Sequence, residues 1–193
     1  MTSTPLEPAD RKLTTTTRFV GRRASGWGMS KGVNATVGTK VLGPGLLLGV
    51  GLGAFVDGIV LHQLLGWHHL LSSRPNVSLS ANLIADGVFH AGACLAVLVG
   101  VLWLWRRSRR TAVNGQWTAL VAAMVAGWGS FNVIEGLVDH YLLNLHHVRP
   151  GPNQAVYDIA FLVFGALLAI GGFAWYKRTT ASARASSPEP APR

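Results

Sequence analysis

The stretch Asp57-Gly58-Ile59-Val60-Leu61-His62-Gln63-Leu64-Leu65-Gly66-Trp67-His68-His69 recurs seventy-eight residues later as Glu135-Gly136-Leu137-Val138-Asp139-His140-Tyr141-Leu142-Leu143-Asn144-Leu145-His146-His147. Both copies fit the pattern acid-Gly-x-Val-x-His-x-Leu-Leu-x-x-His-His. So many identities at one offset point to an internal duplication. The two copies hold six of the seven histidines. The seventh, His90, sits in a shorter cousin of the motif, Asp86-Gly87-Val88-Phe89-His90. Histidine occurs nowhere else in the chain.

Outward from these motifs the sequence is apolar. A helix needs about 20 mostly apolar residues to cross the hydrocarbon of a bilayer. Four segments qualify, at about 42–65, 82–105, 116–142 and 155–176. Charged residues make up only 13% of the 193 residues, and mean hydropathy is +0.33. The expected fold is therefore all-α, an integral membrane four-helix bundle over residues 41–178, built from two duplicated helix pairs. Gly45, Gly49 and Gly53 recur every four residues, as do Gly92, Ala96 and Gly100, and Ala119, Ala123 and Gly127. Such strips let neighbouring helices approach closely. The glycines that follow the acids, Gly58, Gly87 and Gly136, are expected to serve the same purpose. Residues 1–40 and 179–193, rich in small, polar and basic residues and in proline, are expected to form a disordered arm and tail.

The formal charge of +9 is distributed by topology. Basic residues cluster in the N-terminal arm, in Arg106-Arg107-Ser108-Arg109-Arg110 and after Lys177-Arg178, all on one side of a four-span chain. Lys and Arg are retained in the cytoplasm during insertion, so both termini are expected inside. The charge suits anionic lipid heads rather than nucleic acid. Trp103, Trp105, Trp117 and Trp175-Tyr176 fall at the inner ends of the spans, as interfacial anchors do. Cys94 is the only cysteine. An intrachain disulfide and a thiolate metal cluster are thus excluded, and Cys94 is expected to be a small core residue.

With this topology, every histidine and five of the eight carboxylates lie in one outer layer. The carboxylates are Asp57, Asp86, Glu135, Asp139 and Asp158, and the only basic side chains on that side are Arg74 and Arg149. A layer of net negative charge in a positive protein attracts cations. At about 100° per residue, His62 shares a face with His69 if the helix continues through Gly66, and His140 with His147 likewise. Buried ionisable groups in a membrane need partners and mark function. The expected metal ligands are His62, His90 and His140 as an inner set, with Asp57, Asp86, Glu135 and Asp139 as ligands or supporting partners. His68, His69, His146 and His147 would guard the entrance or build a second site. Asp158 is expected only to cap or orient.

Imidazole and carboxylate suit Zn, Fe, Mn or Cu(II). The methionines, at 1, 29 and 124, lie outside the layer, which argues against a Cu(I) thioether relay. No Cys-x-x-Cys-His occurs, so covalent haem is excluded, while haem b held by two histidines stays open. A metal centre would suit hydrolase or oxidase chemistry. The alternatives are a haem-binding or respiratory-assembly protein, and a proton or cation relay.

The motifs Asp57–His69, Asp86–His90 and Asn132–Arg149 resemble those of a bacterial membrane family called domain of unknown function 2243, over about residues 42–176. The resemblance implies the four-span fold and a bacterial inner-membrane location, and adds no reaction. Partners left open are the lipid bilayer, a metal ion, a second copy of the chain and a respiratory-assembly complex. The charge pattern makes a direct prediction. A reporter fused after Lys177 should read cytoplasm, and one inserted near Asn76 should read exterior; the reverse pattern would move the histidine layer to the inside.

Overall fold

The computed structural model describes residues 39–110 and 116–185. The expected N-terminal arm (all but its last two residues) and the end of the tail lie outside the described residues, as does Asn114-Gly115, a turn signal in the sequence. Four helices and no strand make up the described chain. Helix α1 (Thr39–Val56) runs directly into a π-helical segment, Asp57–Leu64. Helix α2 (Leu79–Arg110) returns, α3 (Trp117–Glu135) runs into a second π-helical segment, Gly136–Leu142, and α4 (Gln154–Ala185) closes the fold. Each of the four is long and apolar enough to cross a membrane: Val41–Leu64, Leu79–Arg109, Trp117–Leu142 and Gln154–Ala183. Two are longer than their hydropathy suggested. The Arg106–Arg110 cluster, beyond the expected end of the second span, lies in the last residues of α2, and α4 continues to Ala185, into the stretch expected to be a disordered tail.

The helices form an open row in which α2 packs on α1, α1 on α3, and α3 on α4. The central pair buries 50% and 44% of its most apolar window, against 11% and 17% for the flanking α2 and α4. Leu83, Ile84, Val88, Leu95 and Leu98 on α2 face outward, as lipid-facing residues do. Cys94 is among the exposed residues of α2, so it is not a core residue as expected. A span buried on one face only leaves the others to lipid, and composition does not distinguish those faces.

The glycine strip of α1 does face α3. A Cβ on Gly45 would meet the Ala123 side chain at 2.6 Å, one on Gly49 would strike the Met124 carbonyl, and one on Gly127 the Leu46 carbonyl. Gly58 and Gly136 are likewise close-contact positions, against His90 and Leu162 respectively. Gly87 and Gly92, expected to do the same, face open space. These contacts predict an asymmetric glycine scan. Gly49→Ala and Gly127→Ala should each destabilise the protein by about 1–3 kcal/mol through overpacking, read as a lower melting temperature in detergent. Gly92→Ala should leave it unchanged or slightly raised, because alanine is the better helix former by about 1 kcal/mol.

Candidate metal centre

The two π-helical segments bring acid and histidine together. Asp57 and His62 are five residues apart, as are Glu135 and His140. In an α-helix that spacing separates side chains by about 140°. In a π-helix the hydrogen bonds run from i to i+5, so residues five apart stack one above the other. Accordingly, His62 Nε2 lies 3.3 Å from Asp57 Oδ2, and His140 Nε2 lies 3.3 Å from Glu135 Oε1. The wide turn is visible in the backbone, where the Leu65 and Leu143 amides donate to the Val60 and Val138 carbonyls.

Each segment then stops at a left-handed residue, Gly66 (φ 57°) or Asn144 (φ 48°), the usual way to end a helix. The assumption that the helix continues through Gly66 therefore fails. His68, His69, His146 and His147 lie beyond it in non-helical chain that folds back over the helix ends. His68 and His146, expected at the entrance, are instead deeply buried, at 4% and 1% exposed. Their partners are not local. His68 Nδ1 donates to the Val148 carbonyl at 2.8 Å, and His146 Nδ1 to the Leu70 carbonyl at 3.2 Å, so each loop binds the other. The two rings stack with centroids 4.5 Å apart and an interplanar angle of 9°. His69 and His147 keep some exposure at the rim.

The loops are held down by aspartates near the start of α2 and α4. Asp86 accepts from His62 Nδ1 at 3.0 Å, His69 Nδ1 at 2.7 Å and the Leu70 amide at 2.8 Å. Asp158 accepts from His147 Nδ1 at 2.7 Å and the Val148 amide at 3.0 Å, with His140 Nδ1 3.3 Å away. Asp158 thus does far more than cap. It could have been recognised because it stands to the second motif as Asp86 stands to the first. Asn132, buried at 3% in the third span, was missed as well, although an amide inside an apolar run was the available signal.

One methylene breaks the match between halves. Glu135 reaches His146, with Oε1 2.9 Å from Nε2. The shorter Asp57 leaves the corresponding His68 Nε2 buried and without a hydrogen bond. Burial, and then the neighbouring His146 and His62, push the His68 imidazole down to about 3, so it is neutral near pH 7 with its Nε2 lone pair bare. His90 also departs from expectation. Its Nδ1 donates to the Asp86 carbonyl one turn back at 2.7 Å, and Leu162 occupies the equivalent place beside Gly136. Asp139 is half-buried and belongs to neither cluster described next.

Two groups of ligand atoms converge. Those of His62, His68 and His146 lie within 4.8 Å of one another, as do those of Glu135, His140 and His146, and all five residues are buried. Among the described residues, every ion pair of Asp57, Asp86, Glu135 and Asp158 is with histidine. Arg74 and Arg149 are engaged elsewhere. Arg74 donates to the Leu143 carbonyl, and Arg149 donates to the Tyr157 hydroxyl while lying over the Trp67 ring.

Neither a curated protein nor a solved structure matches the chain significantly. The profile of one family, described as predicted membrane protein, domain of unknown function 2243, matches residues 44–179 and so covers all three motif stretches. The chain is a membrane protein and belongs to that family.

Proposed function

We propose that this protein holds a transition-metal ion, Zn, Fe or Cu, in its His/carboxylate layer at the outer face of a bacterial inner membrane. The observation that carries the reading is the face-to-face placement of two electron-pair donors. His146 gives its Nδ1 proton to a carbonyl, and its Nε2 then confronts Glu135 Oε1 at 2.9 Å. Two lone pairs that close need a cation, either a proton or a metal ion. Ligand atoms of His62 and His68 lie within 4.8 Å of one on His146, so three imidazoles converge beside that pair, and the His68 Nε2 has no hydrogen-bond partner.

Ligands about 2.0–2.1 Å from a zinc ion stand no more than about 4.2 Å apart. Atoms already within 4.8 Å need only a small inward shift. His146 belongs to both clusters and has one lone pair to give, which favours a single ion. Asp86 holds His62 by Nδ1, and the Val148 and Leu70 carbonyls hold His68 and His146. Such partners fix the tautomer that presents Nε2. An ion held by the three imidazoles would have its fourth position left for Glu135, water or substrate, and an open fourth position is the pattern of hydrolytic and oxidative metal sites. Haem b is less favoured, because the histidine rings pack against one another where a porphyrin would have to enter. A proton relay through Asp57, His62, Asp86 and His69 remains the rival use of the same chain of contacts.

Detergent-purified protein should contain about one equivalent of Zn, Fe or Cu and show no Soret band. His146→Ala and His62→Ala should abolish bound metal, and His68→Ala should weaken it at least tenfold. His90→Leu and Cys94→Ser should retain it, with elution volume and melting temperature reporting folding throughout. Full metal content in both His62→Ala and His146→Ala would sink the reading, and a Soret band would replace it with haem.

A further inference from the structure

A strict duplication would build one ligand set twice, and this chain does not. In the second half, Glu135 Oε1 faces two imidazole nitrogens at once, His146 Nε2 at 2.9 Å and His140 Nε2 at 3.3 Å. Its other oxygen, Oε2, is buried without a hydrogen-bond partner. In the first half the acid, Asp57, is one methylene shorter. Its Oδ2 lies 3.3 Å from His62 Nε2, but among the described residues no convergent group joins Asp57 to both His62 and His68. Those two imidazoles converge on His146 of the other half instead.

Two overlapping ligand sets of different chemistry result. One is three imidazoles, His62, His68 and His146; the other is a carboxylate and two imidazoles, Glu135, His140 and His146. Each ring has a partner at its far nitrogen: Asp86 for His62, the Val148 carbonyl for His68, the Leu70 carbonyl for His146, and Asp158 Oδ1, 3.3 Å from Nδ1, for His140. Such partners orient a ring toward an ion. The two sets cannot be filled together. His146 gives its Nδ1 proton to the Leu70 carbonyl, so Nε2 holds the one lone pair it can offer, and that binds one ion. An imidazolate bridge between two ions needs both ring nitrogens, and the carbonyl already occupies one of them.

We propose that the layer contains a second, mutually exclusive metal position on Glu135, His140 and His146. It takes a harder divalent ion, Mn(II) or Fe(II), whereas Zn or Cu takes the three imidazoles. Imidazole suits Zn and Cu, carboxylate oxygen suits Mn(II), and two histidines with one carboxylate make the ligand set of non-haem Fe(II) sites. The shared His146 makes binding of one ion expel the other. The inference rests on the metal reading and refines it: the losses expected above on replacing His62 or His68 are those of an ion in the three-imidazole set.

The test uses full-length protein in detergent, stripped of metal by a chelator and titrated with Mn(II) alone or Zn(II) alone. Bound Mn(II) is read from the loss of its aqueous paramagnetic resonance signal. The unmodified protein should bind about one equivalent of either ion, because His146 serves only one, and Zn(II) should release bound Mn(II). His140→Ala should weaken Mn(II) at least about tenfold more than Zn(II), since loss of even a supporting partner costs that much. His68→Ala should shift the ratio the other way. Glu135→Asp, which gives the second half the shorter acid of the first, should act as His140→Ala does and covers the case in which that variant fails to fold. Elution volume and melting temperature report folding. Both ions bound at once, no Mn(II) bound where Zn(II) is, or equal losses of both ions in His68→Ala and His140→Ala would overturn the inference and leave the metal reading standing. Mn(II) held through His140 without any Zn(II) binding would keep the carboxylate position and remove the three-imidazole one. Binding of neither ion would overturn both.

Discussion

Four carboxylates, on Asp57, Asp86, Glu135 and Asp158, are buried at the end of an apolar row of helices, and histidine provides their only ion pairs among the described residues. Removing an ionised carboxylate from water costs several kcal/mol unless charge and hydrogen bonds compensate it. A lysine or arginine would settle the charge permanently. Imidazole provides positive charge only when it carries a second proton or a metal ion. The net charge of the layer therefore depends on the state of its imidazoles. Arg74 and Arg149 do not pair with these acids: Arg74 binds the Leu143 carbonyl and Arg149 the Tyr157 hydroxyl.

The same requirement explains the irregular backbone. A regular α-helix would point acid and histidine of each motif in different directions, so the chain widens to π-helix for just those residues. Widened turns are uncommon and tend to occur at functional sites. The loops that follow carry polar backbone into a buried region, where each amide and carbonyl needs a partner. Asp86 and Asp158 accept from the loop amides, and the histidine of one loop donates to the carbonyl of the other. Loop, helix end and candidate ligand are thus stabilised by one network.

Near-symmetry makes the exceptions informative. Asp57 against Glu135 leaves one imidazole nitrogen bare and pairs its counterpart. His90 against Leu162 separates one histidine from the rest of the network. Asn132 against Ala54 puts a buried amide in one half only. Two equivalent halves would build two equivalent sites. These substitutions make the two halves inequivalent.

The sequence alone determined the four spans, the all-helical class, the family resemblance and the gathering of His62, His68, His140, His146, Asp57 and Glu135 in one layer. Those properties are one-dimensional: apolar run length, motif spacing and a constant offset are fully present in the order of residues. Which histidines converge was decided only by the tertiary structure. Depth along an ideal helix favoured His90 and placed His68 and His146 outside. Gly66 and Asn144 instead end the helices and turn those loop residues inward. The pairing of residues five apart depends on local winding that no α-helical period reports. The contact between His68 and Val148, eighty residues apart, exists only because two loops from different hairpins meet over the same pair of helix ends.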